Sequence, residues 1–83
     1  MMSSGDLQEV LDGLSLIEKD VSVPKNVRMR IKTAIDLLST QDSSFSLKVD
    51  KSIQELGDVA DDPNIPSYTR MQIWSVVSQL ERK

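Results

Sequence analysis

Residues 62–80 read D-P-N-I-P-S-Y-T-R-M-Q-I-W-S-V-V-S-Q-L, and residues 20–38 read D-V-S-V-P-K-N-V-R-M-R-I-K-T-A-I-D-L-L. Shifted by 42 positions, Asp20, Pro24, Arg28, Met29, Ile31 and Leu38 fall on Asp62, Pro66, Arg70, Met71, Ile73 and Leu80. Upstream, Leu7, Leu11, Leu14 and Ile17 fall on Val49, Ile53, Leu56 and Val59, and Ser4 falls on Ser46. Identities are few, but apolar register and punctuation agree together, which is how an internal repeat presents itself. The repeat units run over 4–39 and 46–81.

Each unit predicts a helix, a short proline-containing turn and a second helix. Apolar residues at 7, 11, 14 and 17, and at 27, 31, 34, 35 and 38, are three or four apart and share a helix face. Ser4 and Ser46 stand where an N-cap hydroxyl accepts a first-turn amide proton, and Ser22 and Asn64 stand likewise before the second helices. A proline in the first turn, Pro24 or Pro66, removes a donor that had no partner inside the helix anyway. Small polar residues over 39–46 predict the connection between the units. The expected helices are 5–19, 23–39, 46–61 and 65–82. Four amphipathic helices on short turns bury their stripes against one another. The expected fold is all-α: an antiparallel four-helix bundle made of two duplicated helical hairpins about a pseudo-twofold. Gly13 and Gly57 fall inside helices and are expected where helices approach closely.

Length allows one small domain over 1–83. The hydrophobic share of 39% and charged share of 28% are those of a folded globular chain. There is no His and no Cys, which excludes His/Cys zinc sites, thiolate chemistry, His-based triads and disulfides. The formal net charge of −3 argues against a general nucleic-acid binder. No apolar run is long enough to span a bilayer, and none resembles a signal peptide, so the chain is expected to be cytoplasmic. Met1–Ser4 reads as a short tail.

At residues 62–74, with V-P-K-N-V-R at 23–28, the chain resembles a small archaeal family known only as uncharacterised protein family 0147. Asp62, Pro63, Asn64, Pro66, Arg70, Ile73 and Trp74 match its pattern, and Pro24, Asn26 and Arg28 match the first-half counterpart. The resemblance runs from the first helix to Glu81. It implies a compact four-helix bundle and carries no activity with it.

Several residues invite a functional reading. Asp20, Pro24, Asp62, Pro66 and Arg70 are expected to build the turns. Arg28 and Arg70 would reach back to the aspartates or to the last carbonyls of the preceding helix; the competing reading is a symmetric pair of anion-binding arginines. Met29 and Met71 point nearly opposite the buried stripes at about 100° per residue. Trp74 lies one turn beyond Met71, and Tyr68 near the start of the same helix. One account has Trp74 sealing the edge of a broad buried face. The other makes Met71, Trp74 and Tyr68, with Met29 as quasi-equivalent, a partner or dimer surface. A Trp74 wholly buried within its own chain, with Met71 covered too, would sink that second account.

Lys25, Arg28 and Lys32 share a flank of the second helix, with Arg30 off it. This basic stripe pairs within the chain, is solvated, or meets an acidic protein or nucleic acid. Asp58, Asp61 and Asp62 cluster before the second turn without EF-hand spacing, and read as a solvated helix end rather than a metal site. No nucleophile–base pair, phosphate loop or carboxylate dyad stands out, so no catalytic, cofactor-binding or metal residue is expected. The chain thus reads as a non-enzymatic interaction module, its partner either another protein or a second copy. The alternative is an accessory protein of nucleic acid or a ribonucleoprotein working through Lys25, Arg28, Arg30 and Lys32.

Overall fold

The computed structural model describes residues 4–39 and 45–81. They form four helices, α1 Ser4–Glu18, α2 Lys25–Ser39, α3 Phe45–Ala60 and α4 Ser67–Glu81, and no strand. The expected tail over 1–3 and most of the expected polar connection, 40–44, lie outside the described residues.

The proline turns show why the second helix of each pair starts where it does. The Pro24 carbonyl accepts the Arg28 N–H at 3.0 Å, and the Pro66 carbonyl accepts the Arg70 N–H at 3.1 Å. Each proline therefore supplies the first intrahelical acceptor and stands at the flanking cap position, one residue outside the first turn. Ser22 and Asn64 are not caps, contrary to expectation. Their own N–H groups donate to Asp20 Oδ1 at 2.9 Å and Asp62 Oδ1 at 2.8 Å, so the aspartates fold the chain locally. The Asp20 carbonyl then accepts the Val23 N–H at 3.1 Å, and the Asp62 carbonyl the Ile65 N–H at 3.5 Å. Ahead of them, Asp20 donates to Ile17 O at 3.1 Å and Asp62 to Val59 O at 3.0 Å, tightening the helix ends. Ser46 is also corrected: α3 is already helical at Phe45, so Ser46 lies inside its first turn.

Each helix buries one stripe. Leu7, Val10, Leu14 and Ile17 of α1 meet Val27, Ile31, Ala34 and Leu38 of α2; Val49, Leu56, Val59 and Ala60 of α3 meet Ile73, Val76, Val77 and Leu80 of α4 in the same cluster. Val23 and Ile65 close it at the turns, while Leu11, Ile35, Phe45 and Ile53 pack against it half-buried. Consecutive helices pack together, and α1 returns against α4, while the backbones of α1 and α3, and of α2 and α4, stay apart. A square of helices results, with side chains filling its centre. The radius of gyration is 11.9 Å, close to the value of about 12 Å expected for a compact chain of this length.

Two buried positions carry hydroxyls. Ser52 and Thr69 are fully buried, where the positions 42 earlier carry the buried Val10 and Val27. Ser52 Oγ donates to Lys48 O at 2.8 Å, one turn back in its own helix. Thr69 Oγ1 has no hydrogen-bond partner. The glycines also part company. A Cβ on Gly13 would meet Val76 Cγ2 at 3.5 Å, ordinary contact across the α1–α4 seam. Around Gly57 the same atom would find nothing within 4 Å, so the expected close approach does not occur there.

Candidate interaction surface

The outward face of α4 follows from its helical phase. The stripe Ile73–Val76–Val77–Leu80, with Thr69, goes inward, and Met71 is left pointing away from it. Met71 is 72% exposed and Trp74 46% exposed. Met29 occupies the matching outward position on α2 and is exposed as well. Leu16, Val21 and Leu47 are further exposed apolar residues. Isolated exposed hydrophobics are normal on soluble proteins. Met71 and Trp74 differ because they are adjacent turns of one helix.

At about 100° per residue Tyr68 lies about 60° around the helix from Met71 and about 120° from Trp74. Its hydroxyl donates to Asp20 Oδ2 at 2.9 Å and stands 3.1 Å from Ser22 Oγ, which itself donates to Asp20 Oδ1 at 2.6 Å. Tyr68 thus ties the first turn of α4 to the turn between α1 and α2. Hydrogen bonds from the Ser22 hydroxyl, the Ser22 N–H and the Tyr68 hydroxyl hold the Asp20 carboxyl below the usual carboxylate range. Sequence reading offered no signal for this clasp, because the position equivalent to Tyr68 in the first half is Asn26.

The arginines are engaged within the chain. Arg70 Nε donates to Ala60 O at 2.7 Å and its Nη2 to Asp62 O at 3.0 Å, so one guanidinium satisfies the last carbonyl of α3 and the turn after it. Arg28 Nε donates to Val23 O at 3.0 Å. Arg30 Nε meets Glu55 Oε1 at 2.7 Å, and its Nη2 lies 3.7 Å from Asp58 Oδ2, which joins α2 to α3. The Glu55 hydrogen bond pushes the Arg30 pKa further up. Of the expected basic stripe, Lys25 and Lys32 are exposed, while Arg28 and Arg30 are half-buried in these contacts. Asp58 is drawn toward Arg30, and among the described residues no three carboxylates converge on a point where an ion would sit.

Charge sets α4 apart from the other helices. Exposed positions on α1 include Asp6, Glu9 and Asp12; on α2, Lys25, Lys32 and Asp36; on α3, Asp50, Lys51 and Asp58. On α4 the exposed residues from Ser67 to Ser78 are Ser67, Tyr68, Met71, Gln72, Trp74, Ser75 and Ser78, all uncharged. In a chain with 28% charged residues, this stretch stands out as an uncharged exposed face that bears Trp74 and Met71.

Comparison with known proteins places this arrangement. A protein of Archaeoglobus fulgidus is 41% identical, covering 98% of this chain and 92% of its own. One from Methanosarcina mazei is 40% identical over 96% of this chain and 90% of its own. One from Sulfurisphaera tokodaii is 36% identical over 90% of this chain and 84% of its own. All three are named only UPF0147 protein. The crystal structure of MMP1188, a protein of unknown function, superposes with a TM-score of 0.90 at 33% identity, covering 100% of this chain and 96% of that one. The model of an uncharacterised protein family, UPF0147, matches residues 1–82. With the family model spanning nearly the whole sequence, the chain belongs to the uncharacterised protein family UPF0147.

Proposed function

We propose that the chain is a non-enzymatic interaction module whose working surface is the outward face of α4, centred on Met71 and Trp74. The observation that carries this reading is the uncharged exposed face from Ser67 to Ser78, with Met71 and Trp74 one turn apart on it. Leaving Met71 in water gains the fold nothing, and a polar residue would serve a solvated helix as well. Trp and Met are side chains that convert exposed area into binding energy, Trp by its size and Met by its adaptability. Tyr68 supports the surface by fixing the start of α4 rather than by contacting a partner. Met29 is the surface's lesser counterpart, set between Arg28 and Arg30, where Met71 has Arg70 on one side and Gln72 on the other.

The same reading takes the molecule as two duplicated hairpins packed antiparallel. In its support, Asp20 and Asp62 build the same turn, and Pro24 and Pro66 start the same helix. The basic stripe is a weaker platform, because Arg28 and Arg30 already have partners within the chain. Substituting Met71 tests the reading. Met71→Ala should leave unfolding free energy within about 0.5 kcal/mol of wild type, as a solvent-facing side chain does. A loss of about 2 kcal/mol would mean that Met71 serves the fold itself. Contacts made through this face should respond little to salt, whereas binding through Lys25 and Lys32 to phosphates would weaken steeply.

A further inference from the structure

We infer that the partner of the α4 face is a second copy of this chain, docked antiparallel across a twofold axis between Gln72 and Ile73. The inference rests on the reading of α4 as the interaction surface and adds its occupant. Along the outward line of the helix stand Ser67, Met71, Trp74 and Ser78, spaced four, three and four apart, the a/d spacing with which one helix seats on another. The order small, large, large, small reads the same from either end. In a twofold contact, residue i meets residue j of the copy while j meets i. An axis between Gln72 and Ile73 therefore sets Met71 against the copy's Trp74 twice over, and Ser67 against the copy's Ser78 twice over. Each thioether meets an indole, a favourable pairing of sulfur with an aromatic ring. The serines at both ends are small enough for the backbones to come together over the central side chains.

Electrostatics point to the same occupant. Each copy carries a formal net charge of −3, so most ways of bringing two together place like charges side by side. The α1 face, with Asp6, Glu9 and Asp12 exposed, would be the worst. The α4 face is where two copies meet without opposing charges. Size sets the strength of the contact: the outward face from Ser67 to Ser78 runs about 17 Å along the helix at about 1.5 Å per residue, less than a standard interface requires. An interface of that size makes a reversible dimer, one whose population depends on concentration.

The test is sedimentation of wild type, Met71→Lys, Trp74→Glu and an equimolar mixture of the two variants over a wide concentration range, with helicity and melting measured on dilute samples. Because Trp74 is the only tryptophan, its emission in the wild type also reports its burial directly. Wild type should pass from monomer to dimer as concentration rises, with Trp74 emission shifting to the blue. Met71→Lys should weaken the dimer at least tenfold and melt normally when dilute. The equimolar mixture should dimerise more tightly than either variant alone, because the antiparallel register sets the lysine of one copy against the glutamate of the other and keeps one Met71–Trp74 pair. A wild type that stays monomeric overturns the self-pairing and leaves the α4 face to another protein. A dimer indifferent to Met71→Lys overturns α4 as its interface. A mixture that associates no better than the two variants apart overturns the antiparallel register. Dilute Met71→Lys that melts early overturns the interaction reading itself.

Discussion

Replacing Thr69 by Val should make the protein more stable, an unusual sign for a substitution in the core. Thr69 is fully buried and its Oγ1 has no hydrogen-bond partner. Other hydroxyls on these helices find one a turn back: Ser52 Oγ donates to Lys48 O at 2.8 Å and Thr33 Oγ1 to Met29 O at 3.2 Å. A buried hydroxyl without a partner keeps its full desolvation cost, about 1–3 kcal/mol. Valine has nearly the same shape and a similar helix propensity, so removing the hydroxyl should recover about 1–2 kcal/mol of that cost. For a domain of this size that corresponds to a rise in Tm of about 5–10 °C. The first half supplies the precedent, since the equivalent position holds the buried Val27. Urea unfolding followed by far-UV circular dichroism measures the effect, with an unchanged slope showing that the unfolded state is not what moved. The reverse substitution, Val27→Thr, should destabilise by a similar amount. If Thr69→Val lowered stability, the hydroxyl would have a partner in solution and the reasoning would be refuted.

Gly57→Ala should stabilise α3 by about 0.5–1 kcal/mol, because the added methyl enters open space and only the helix preference changes, read from the same urea midpoint. Arg70→Met should cost about 2–3 kcal/mol, and Arg28→Met about half as much, because Arg70 serves two carbonyls and Arg28 one; equal losses would show that the second of Arg70's bonds contributes nothing. Asp20 makes stability depend on pH. Its carboxyl titrates lower in the folded protein than in the unfolded chain, so its contribution is full above the unfolded pKa and is lost as pH falls through the folded one. Asp20→Asn and Tyr68→Phe should each flatten the acid side of the stability profile, and a profile identical to wild type in both would rule out the clasp.

Much of the architecture was legible because helix formation and helix phase are local. Residues three and four apart share a face whatever lies opposite, so the apolar spacing sufficed to place Leu14, Ile31, Leu56 and Ile73 in the core and Met71 outside it. The proline turns were legible to within a residue or two; Ser22 and Asn64 were misassigned because Asp20 and Asp62 accept hydrogen bonds two residues on and make separate caps unnecessary. Gly57 was misread because a glycine inside a helix says only that a side chain is missing, not whether a neighbour fills the space.

Sequence alone determined the four helices, their buried stripes, the turn residues and the family. The tertiary structure decided which polar side chains from different elements meet, Tyr68 with Asp20 and Arg30 with Glu55, and left the buried Thr69 hydroxyl without a hydrogen-bond partner. The reason is physical. A helical period repeats within a few residues and can be read along the chain, but a long side chain finds its partner only after the helices have taken their places around one another. Tyr68 and Asp20 stand 48 residues apart, and no local pattern connects them.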